Sequence, residues 1–407
     1  MRCKTTLSWG NTGFAAVELH PESQSGISAF KPSAQSRCAG RIIGSGCFPG
    51  IQKLATGLLT IFLSYTAGAS LLRAESLDLG THNTGLSIGN SKNWIGLRVN
   101  FRDSGVEQVT GVNLTLFRAE QNNQATVTGL SVGLIAPEAG VLRGIQIGVL
   151  GVAAHRELTG ISLGLLGTGS GGKMTGISFG GLAAGAGDNM TGISIGGLGA
   201  GAGKNAKGII IAGLGAGAGK NMTGFSFGLL GVGAGDNMTG ISIGGLGAGA
   251  GENAKGIVIA GLGAGAGKNM TGLAFGGLGA GAGSNLRGIT VALLGAGCGD
   301  RMTGLALAGL GAGAPVVRGV VAAGFVTGGS DIRGATLTAG LTKISEGGSL
   351  TGLAVGSFNH IRGNQTGLAL GIVNYAHQLN GIQIGLINHV RDNPKYFRTL
   401  PLVNAHF

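Results

Sequence analysis

Residues 191–205 read Thr191-Gly192-Ile193-Ser194-Ile195-Gly196-Gly197-Leu198-Gly199-Ala200-Gly201-Ala202-Gly203-Lys204-Asn205. The phrase, or a close variant, recurs between Thr84 and Asn380. Its anchor glycine, Gly192 here, returns at Gly176, Gly208, Gly224, Gly240, Gly256, Gly272, Gly288 and Gly304, always in steps of 16 residues. A fixed short period marks a quasi-one-dimensional repeat architecture, in which each unit contacts only its neighbours.

Weaker copies carry the anchor at Gly85, Gly96, Gly111, Gly129, Gly144 and Gly160, and again at Gly319, Gly334, Gly352, Gly367 and Gly381. That makes 20 anchors, with spacings of 11 to 18 residues in the flanks, as expected when loops change length and the strand does not. A longer period of 48 is superimposed, since Met174–Asn221 reads almost like Met222–Asn269. Duplication of a three-unit block explains it.

Alternation within the unit is that of a strand. Ile193 and Ile195 alternate with Gly192, Ser194 and Gly196, and Leu198, Ala200 and Ala202 alternate with Gly199, Gly201 and Gly203. A bend at Gly196-Gly197 places both apolar sets on one interior, and glycine makes such a bend cheap. Lys204-Asn205-Ala206-Lys207 then turns the chain. The expected product is a two-strand coil of 16 residues, stacked on its neighbours at about 4.8 Å. The reading is an all-β fold, a β-solenoid of about 20 short Gly-rich coils and roughly 90–100 Å long.

Helix is excluded by a glycine at nearly every second position, each costing about 1 kcal/mol in a helix interior. A transmembrane β-barrel is the rival, with each unit a single strand. Barrels alternate an apolar outside with a polar lumen and carry aromatic girdles, whereas both faces are apolar or glycine from Gly176 to Gly299. A terminal Phe407, which resembles an outer-membrane insertion signal, is the best single point for the barrel.

Composition agrees with a repeat fold: 88 Gly, 11% charged residues and 7 Pro in 407 residues. Collagen needs glycine at every third position with abundant proline. Glycine-rich runs mimic phosphate loops, but none continues into Lys-Ser/Thr at the required spacing and none has a βαβ context. No nucleotide, metal or cofactor site and no catalytic residue is assigned. An enzyme on a β-helix would need clustered acids or bases on one face, and none is evident.

Stacking turns each position into a column. One reads Asp188, Lys204, Lys220, Asp236, Glu252, Lys268, Ser284, Asp300. Its mixed signs suit a solvated turn and not a calcium-binding one, which needs acids on every coil. The next, Asn189 to Asn285, is an asparagine ladder that serves turn conformation and amide stacking. Thr175, Thr191, Thr223, Thr239, Thr271 and Thr303 form a row interrupted by Lys207, Lys255 and Arg287, too broken for an ice-binding face. The Gly-Ala-Gly-Ala-Gly strand leaves one sheet face nearly bare. That face tolerates tight curvature, and it also offers a surface for self-association.

The ends differ. Lys53 precedes the apolar stretch Leu54–Ala69, which closes on Ala67-Gly68-Ala69 before Ser70. Residues 53–69 read as a secretory signal peptide, too short for a membrane span. Residues 1–52 are then an N-terminal extension or a start assigned too far upstream. Cys3, Cys38 and Cys47 precede the expected cleavage, leaving Cys298, a small interior residue in place of an alanine. The mature chain from Ser70 keeps 22 of 28 basic and 14 of 16 acidic residues, a net of +8 without any basic run. Nucleic-acid binding is disfavoured. The repeat domain spans 70–392. Segment 393–407, with Pro394, Pro401 and bulky aromatics, reads as the cap that covers the last coil.

Near the C-terminus, Phe358-Asn359-His360, Val373-Asn374-Tyr375 and Ile387-Asn388-His389 occupy one place in successive units. Two stacked coils separate His360 from His389 by roughly 9–10 Å, too far for one zinc ion at about 2.1 Å per bond. A structural edge column is expected. The run Asn380-Gly381-Ile382-Gln383-Ile384-Gly385-Leu386-Ile387-Asn388, with Gly367-Leu368-Ala369-Leu370-Gly371-Ile372-Val373-Asn374-Tyr375-Ala376 before it, resembles the leptospiral-type surface-repeat family of bacterial exported proteins. The resemblance covers the C-terminal units closely and the Gly-Ala block loosely. It implies export and a surface, outer-membrane or periplasmic setting, and carries no catalytic residues. The expected function is that of a non-enzymatic exported structural or adhesive protein of the bacterial cell envelope. The barrel alternative would make it an outer-membrane pore or anchor.

Overall fold

The computed structural model describes residues 76–407. Among them the one helical element is the short 3-10 turn Lys395–Phe397, and strands dominate the rest. The expected N-terminal extension (1–52) and signal peptide (53–69) lie outside the described residues.

The strands form a β-solenoid of about 18 turns and not a barrel. Strand Asn189–Gly196 pairs in parallel with Lys173–Gly180 on one side and Asn205–Ala212 on the other, with Gly192 opposite Gly176 and Gly208. The shorter strand Gly199–Ala202 pairs in the same way with Ala183–Ala186 and Gly215–Ala218. The 16-residue period is therefore the hydrogen-bonding step itself. A membrane barrel built from these units would pair successive strands antiparallel, which overturns that alternative. Antiparallel pairing occurs only at the two ends of the described chain. Leu77–Thr81 folds back on Thr84–Ile88, and Thr399–His406 runs back along Gly381–His389.

All 20 anchor glycines have positive φ, from +112° to +146°. Gly192, in the middle of its strand, has φ +116°, and a Cβ there would lie 2.1 Å from the carbonyl oxygen of Gly176. Both the backbone conformation and the neighbouring coil forbid a side chain. The sequence period is thus the footprint of one backbone requirement repeated along the stack.

The interior differs from the expectation. Met190, Ser194, Ala200 and Ala202 are buried, whereas Ile193 and Ile195 are only half-buried and Leu198 is 50% exposed. Ala200 and Ala202 face inward as expected; Ile193, Ile195 and Leu198 face outward. Coil width explains the inversion. At Gly196 a Cβ would sit 1.8 Å from the Gly199 carbonyl oxygen and 3.0 Å from the Ala184 nitrogen. The two walls meet so closely at this corner that only glycine and small side chains fit inside. Isoleucine is pushed to the outer face, where β-branched residues also suit the pleat. Bulk enters the core through the column Met174, Met190, Met222, Met238, Met270 and Met302, each at most 3% exposed, and at the position two residues after the anchor, where Ile210 and Val258 replace the buried serine.

Candidate interaction surface

Each coil of the regular block presents two contrasting outer regions. One is the polar turn. Lys204 Nζ lies 2.8 Å from Asp188 Oδ1 one coil away, and Lys268 pairs with Glu252 in the same manner. Such exposed pairs are screened and stabilise little. The asparagine column is a continuous amide ladder. Asn205 Nδ2 donates to Asn189 Oδ1 at 2.9 Å, and Asn221, Asn237, Asn253, Asn269 and Asn285 each donate to the asparagine before at 2.8–2.9 Å. In-register parallel strands place identical amides one repeat apart, so each offers its donor to the next acceptor.

The other region is apolar. Leu166, Leu182, Leu198, Leu214, Leu230, Leu246, Leu262, Leu278, Leu294 and Leu310 sit at one corner of successive coils, each 43–50% exposed. Their backbones are locked in register, with Leu198 N donating to Leu182 O at 2.7 Å and Leu214 N to Leu198 O at 2.8 Å. Ile209, Ile241, Ile257 and Ile289 extend the exposed apolar surface along the longer strands. On the other side of the leucines runs the bare glycine face, a shallow depression lined by Gly247, Gly249, Gly263, Gly265, Gly281 and Gly297 with alanines beneath. Monomeric proteins rarely expose apolar patches beyond a few hundred Å².

The C-terminal units carry the column read from the sequence. His360 is in register with Tyr375, and the rings follow one another along the stack: Phe358 to His360 5.4 Å, His360 to Tyr375 5.1 Å, Tyr375 to His389 5.4 Å between centroids. Tyr375 thus lies between the two histidines. Among the described residues no group of three or more His, Cys, Asp or Glu is placed to hold a metal ion. Burial first, then the charges of Arg362, Lys343 and His377, lower the His360 pKa below its usual 6.5. Behind the rings, Asn359, Asn374 and Asn388 are fully buried and make a second ladder at 2.7 and 2.8 Å. Asn374 Nδ2 also donates to Ile384 O, and Asn388 Nδ2 to Gly385 O.

Sequence reasoning missed the buried polar network near the N-terminal end. Arg98 is fully buried, and its Nη1 donates to Asp103 Oδ1 at 2.7 Å and Asn113 Oδ1 at 2.9 Å, while Nη2 donates to Asn90 Oδ1 at 3.0 Å. Asn113 Nδ2 and Thr115 Oγ1 both donate to Asp103 Oδ2. The signal was available. Arg98, Asn113, Ser131, Gln146 and Ser162 each stand two residues after an anchor glycine, the position that faces inward. Assigning that position outward hid the network. A buried charge needs a partner and hydrogen bonds. Arg98 finds Asp103 as its partner and bonds for both Nη atoms within its own coils, while its Nε is left without a hydrogen-bond partner. Cys298, the free cysteine of the described residues, is half-buried, and burial raises its thiol pKa, which keeps it protonated.

No protein-family model, curated protein or solved structure matches the chain.

Proposed function

We propose that this chain is a non-enzymatic structural or adhesive protein of the bacterial cell envelope, exported by the signal at 53–69. The observation that carries this reading is the apolar flank repeated coil after coil, the Leu166 to Leu310 corner with its glycine face. A repeated contact surface suits a protein whose work is to adhere or to build, because every coil adds an equivalent contact. The polar residues of the regular block support the same reading. The asparagines are engaged with one another, and the Asp188–Lys204 and Glu252–Lys268 pairs link coil to coil. The order of basic residue, apolar stretch and small-residue site from Lys53 to Ser70 supports export.

The test is fractionation of the native cell with sequencing of the mature N-terminus. The expected result is an envelope-located chain beginning near Ser70. A chain recovered in the cytoplasm, or one in the envelope that starts before Lys53, would sink the reading.

A further inference from the structure

We propose that the leucine corner is a dimer interface, and that its occupant is the same corner of a second copy of this chain. The ten leucines form a continuous ridge because their coils are hydrogen-bonded in 16-residue register. Beside the ridge lies the glycine depression. A ridge and a trough side by side on one molecule are self-complementary. A twofold rotation places each copy's ridge in the other's trough, as an isologous interface requires.

The fold does not account for glycine on the outer face of the trough. The glycines there lack positive φ. A Cβ would have its nearest neighbour 3.9 Å away at Gly199 and Gly215, 4.0 Å at Gly233 and 3.9 Å at Gly265, and would meet nothing within 4 Å at Gly263. Room is tighter at Gly201, Gly249, Gly281 and Gly297, at 2.6, 3.0, 3.0 and 3.2 Å. Anchors such as Gly192 are forced by backbone geometry; most of these are not. Bare backbone at these positions allows a neighbouring leucine to seat deeply.

Area supports a second copy as occupant. Ten coils at about 4.8 Å and a ridge-plus-trough width of about 16 Å, five residues at about 3.3 Å each, give roughly 770 Å² per copy. That is close to the ~800 Å² per partner of a standard stable interface. Both surfaces also share one axial repeat, so every ridge leucine meets an equivalent site. Leu165, Leu229 and Leu293, 58–65% exposed, add a protruding side chain beside the ridge at every fourth coil, which limits the registers the pair can adopt. The mixed-charge column, Lys204 in the coil of Leu198, begins two residues beyond the trough strand Gly199–Ala202, on the side away from the leucines.

The experiment is sedimentation of the full chain, 39.9 kDa as a monomer, at micromolar concentration with phosphatidylcholine vesicles as a separate arm. The expected result is a mass of two chains, no flotation with vesicles, and loss of the dimer in the double variant Leu230→Asp/Leu262→Asp. Gly233→Gln/Gly265→Gln, which fills the trough without opposing the fold, should also give a monomer with unchanged circular dichroism and melting temperature. Lys220→Glu, on the polar turn, should leave the dimer intact. A monomeric wild type overturns the proposal. If that monomer floats with vesicles, the flank faces lipid instead. A trough-filled variant that remains folded and dimeric also overturns it. Because these readouts concern mass, their failure is separate from any failure of the export reading.

Discussion

Gly192 rests against Gly176 so closely that a Cβ on it would lie 2.1 Å from the Gly176 carbonyl oxygen. The contact recurs at every step of the regular block, including Gly240 on Gly224 at 2.1 Å and Gly256 on Gly240 at 2.2 Å. In-register parallel pairing makes one coil's constraint every coil's constraint. The column of anchors is therefore what lets neighbouring coils close to hydrogen-bonding distance at this position.

Replacing one anchor should be costly in a way that replacing a trough glycine is not. Gly240→Ala combines a positive φ of +116° with the backbone clash. The strained conformation alone costs about 1–3 kcal/mol, and the displaced coil adds to it. Gly263→Ala meets nothing within 4 Å and should be neutral or stabilising by about 0.4–1 kcal/mol, through the unfolded chain. Thermal melts of the two variants should diverge clearly. Equal melting temperatures would remove the steric role given to the anchors.

The inverted core gives a second contrast. Met238 is 1% exposed, while Ile241 is 39% exposed on the outer face. Met238→Asp should cost several kcal/mol, because an unpaired carboxylate would be buried. Ile241→Asp should cost about 1 kcal/mol or less, as surface substitutions do. Denaturant titration of both variants decides it, and a larger loss at Ile241 would restore isoleucine to the core.

That inversion also marks how far the sequence could be read. Coil length, parallel stacking and the asparagine ladder follow from periodicity, since identical residues 16 apart fall into columns whatever the cross-section. The choice of inner face does not follow. Alternation says that Ile193 and Ser194 point opposite ways, and hydrophobicity then favours isoleucine inside. The width of the coil at Gly196 and Gly199 decides otherwise, and that width is a property of the closed coil, not of its composition. Arg98 was hidden for the same reason. The apolar flank was likewise invisible while its leucines were counted as core.

Protonation of His360 should loosen the C-terminal coils. Its folded-state pKa lies below the usual 6.5, from burial first and then from Arg362, Lys343 and His377. The unfolded chain therefore binds this proton more readily than the folded one. Stability is complete above about pH 6.5 and falls as the pH drops below that value, levelling off once the folded-state pKa is passed. Hydrogen exchange over residues 341–390, corrected for intrinsic rates, should quicken between pH 7.5 and pH 5 in the wild type and much less in His360→Gln. An unchanged pH response in the variant would assign the effect to another group.

Deleting residues 393–407 should convert a protein of defined size into one that grows. Strand Thr399–His406 pairs antiparallel with the last coil from Gly381 to His389, and Asn388 Nδ2 donates to Leu400 O at 3.3 Å. The strand covers an edge that would otherwise template another parallel strand. Its own outer edge is blunted by Pro401, which has no N–H to offer. Stability in a repeat stack is close to a sum of neighbour terms, so the remaining coils should stay folded. The expected result is near-native β circular dichroism with concentration-dependent association beyond the dimer, read by light scattering. The double variant Leu230→Asp/Leu262→Asp should not suppress this growth, because an edge-to-edge contact does not use the leucine ridge. A truncated chain that keeps the wild-type mass at every concentration would reject the capping role, and complete unfolding would show that the last coil depends on the segment for more than its edge.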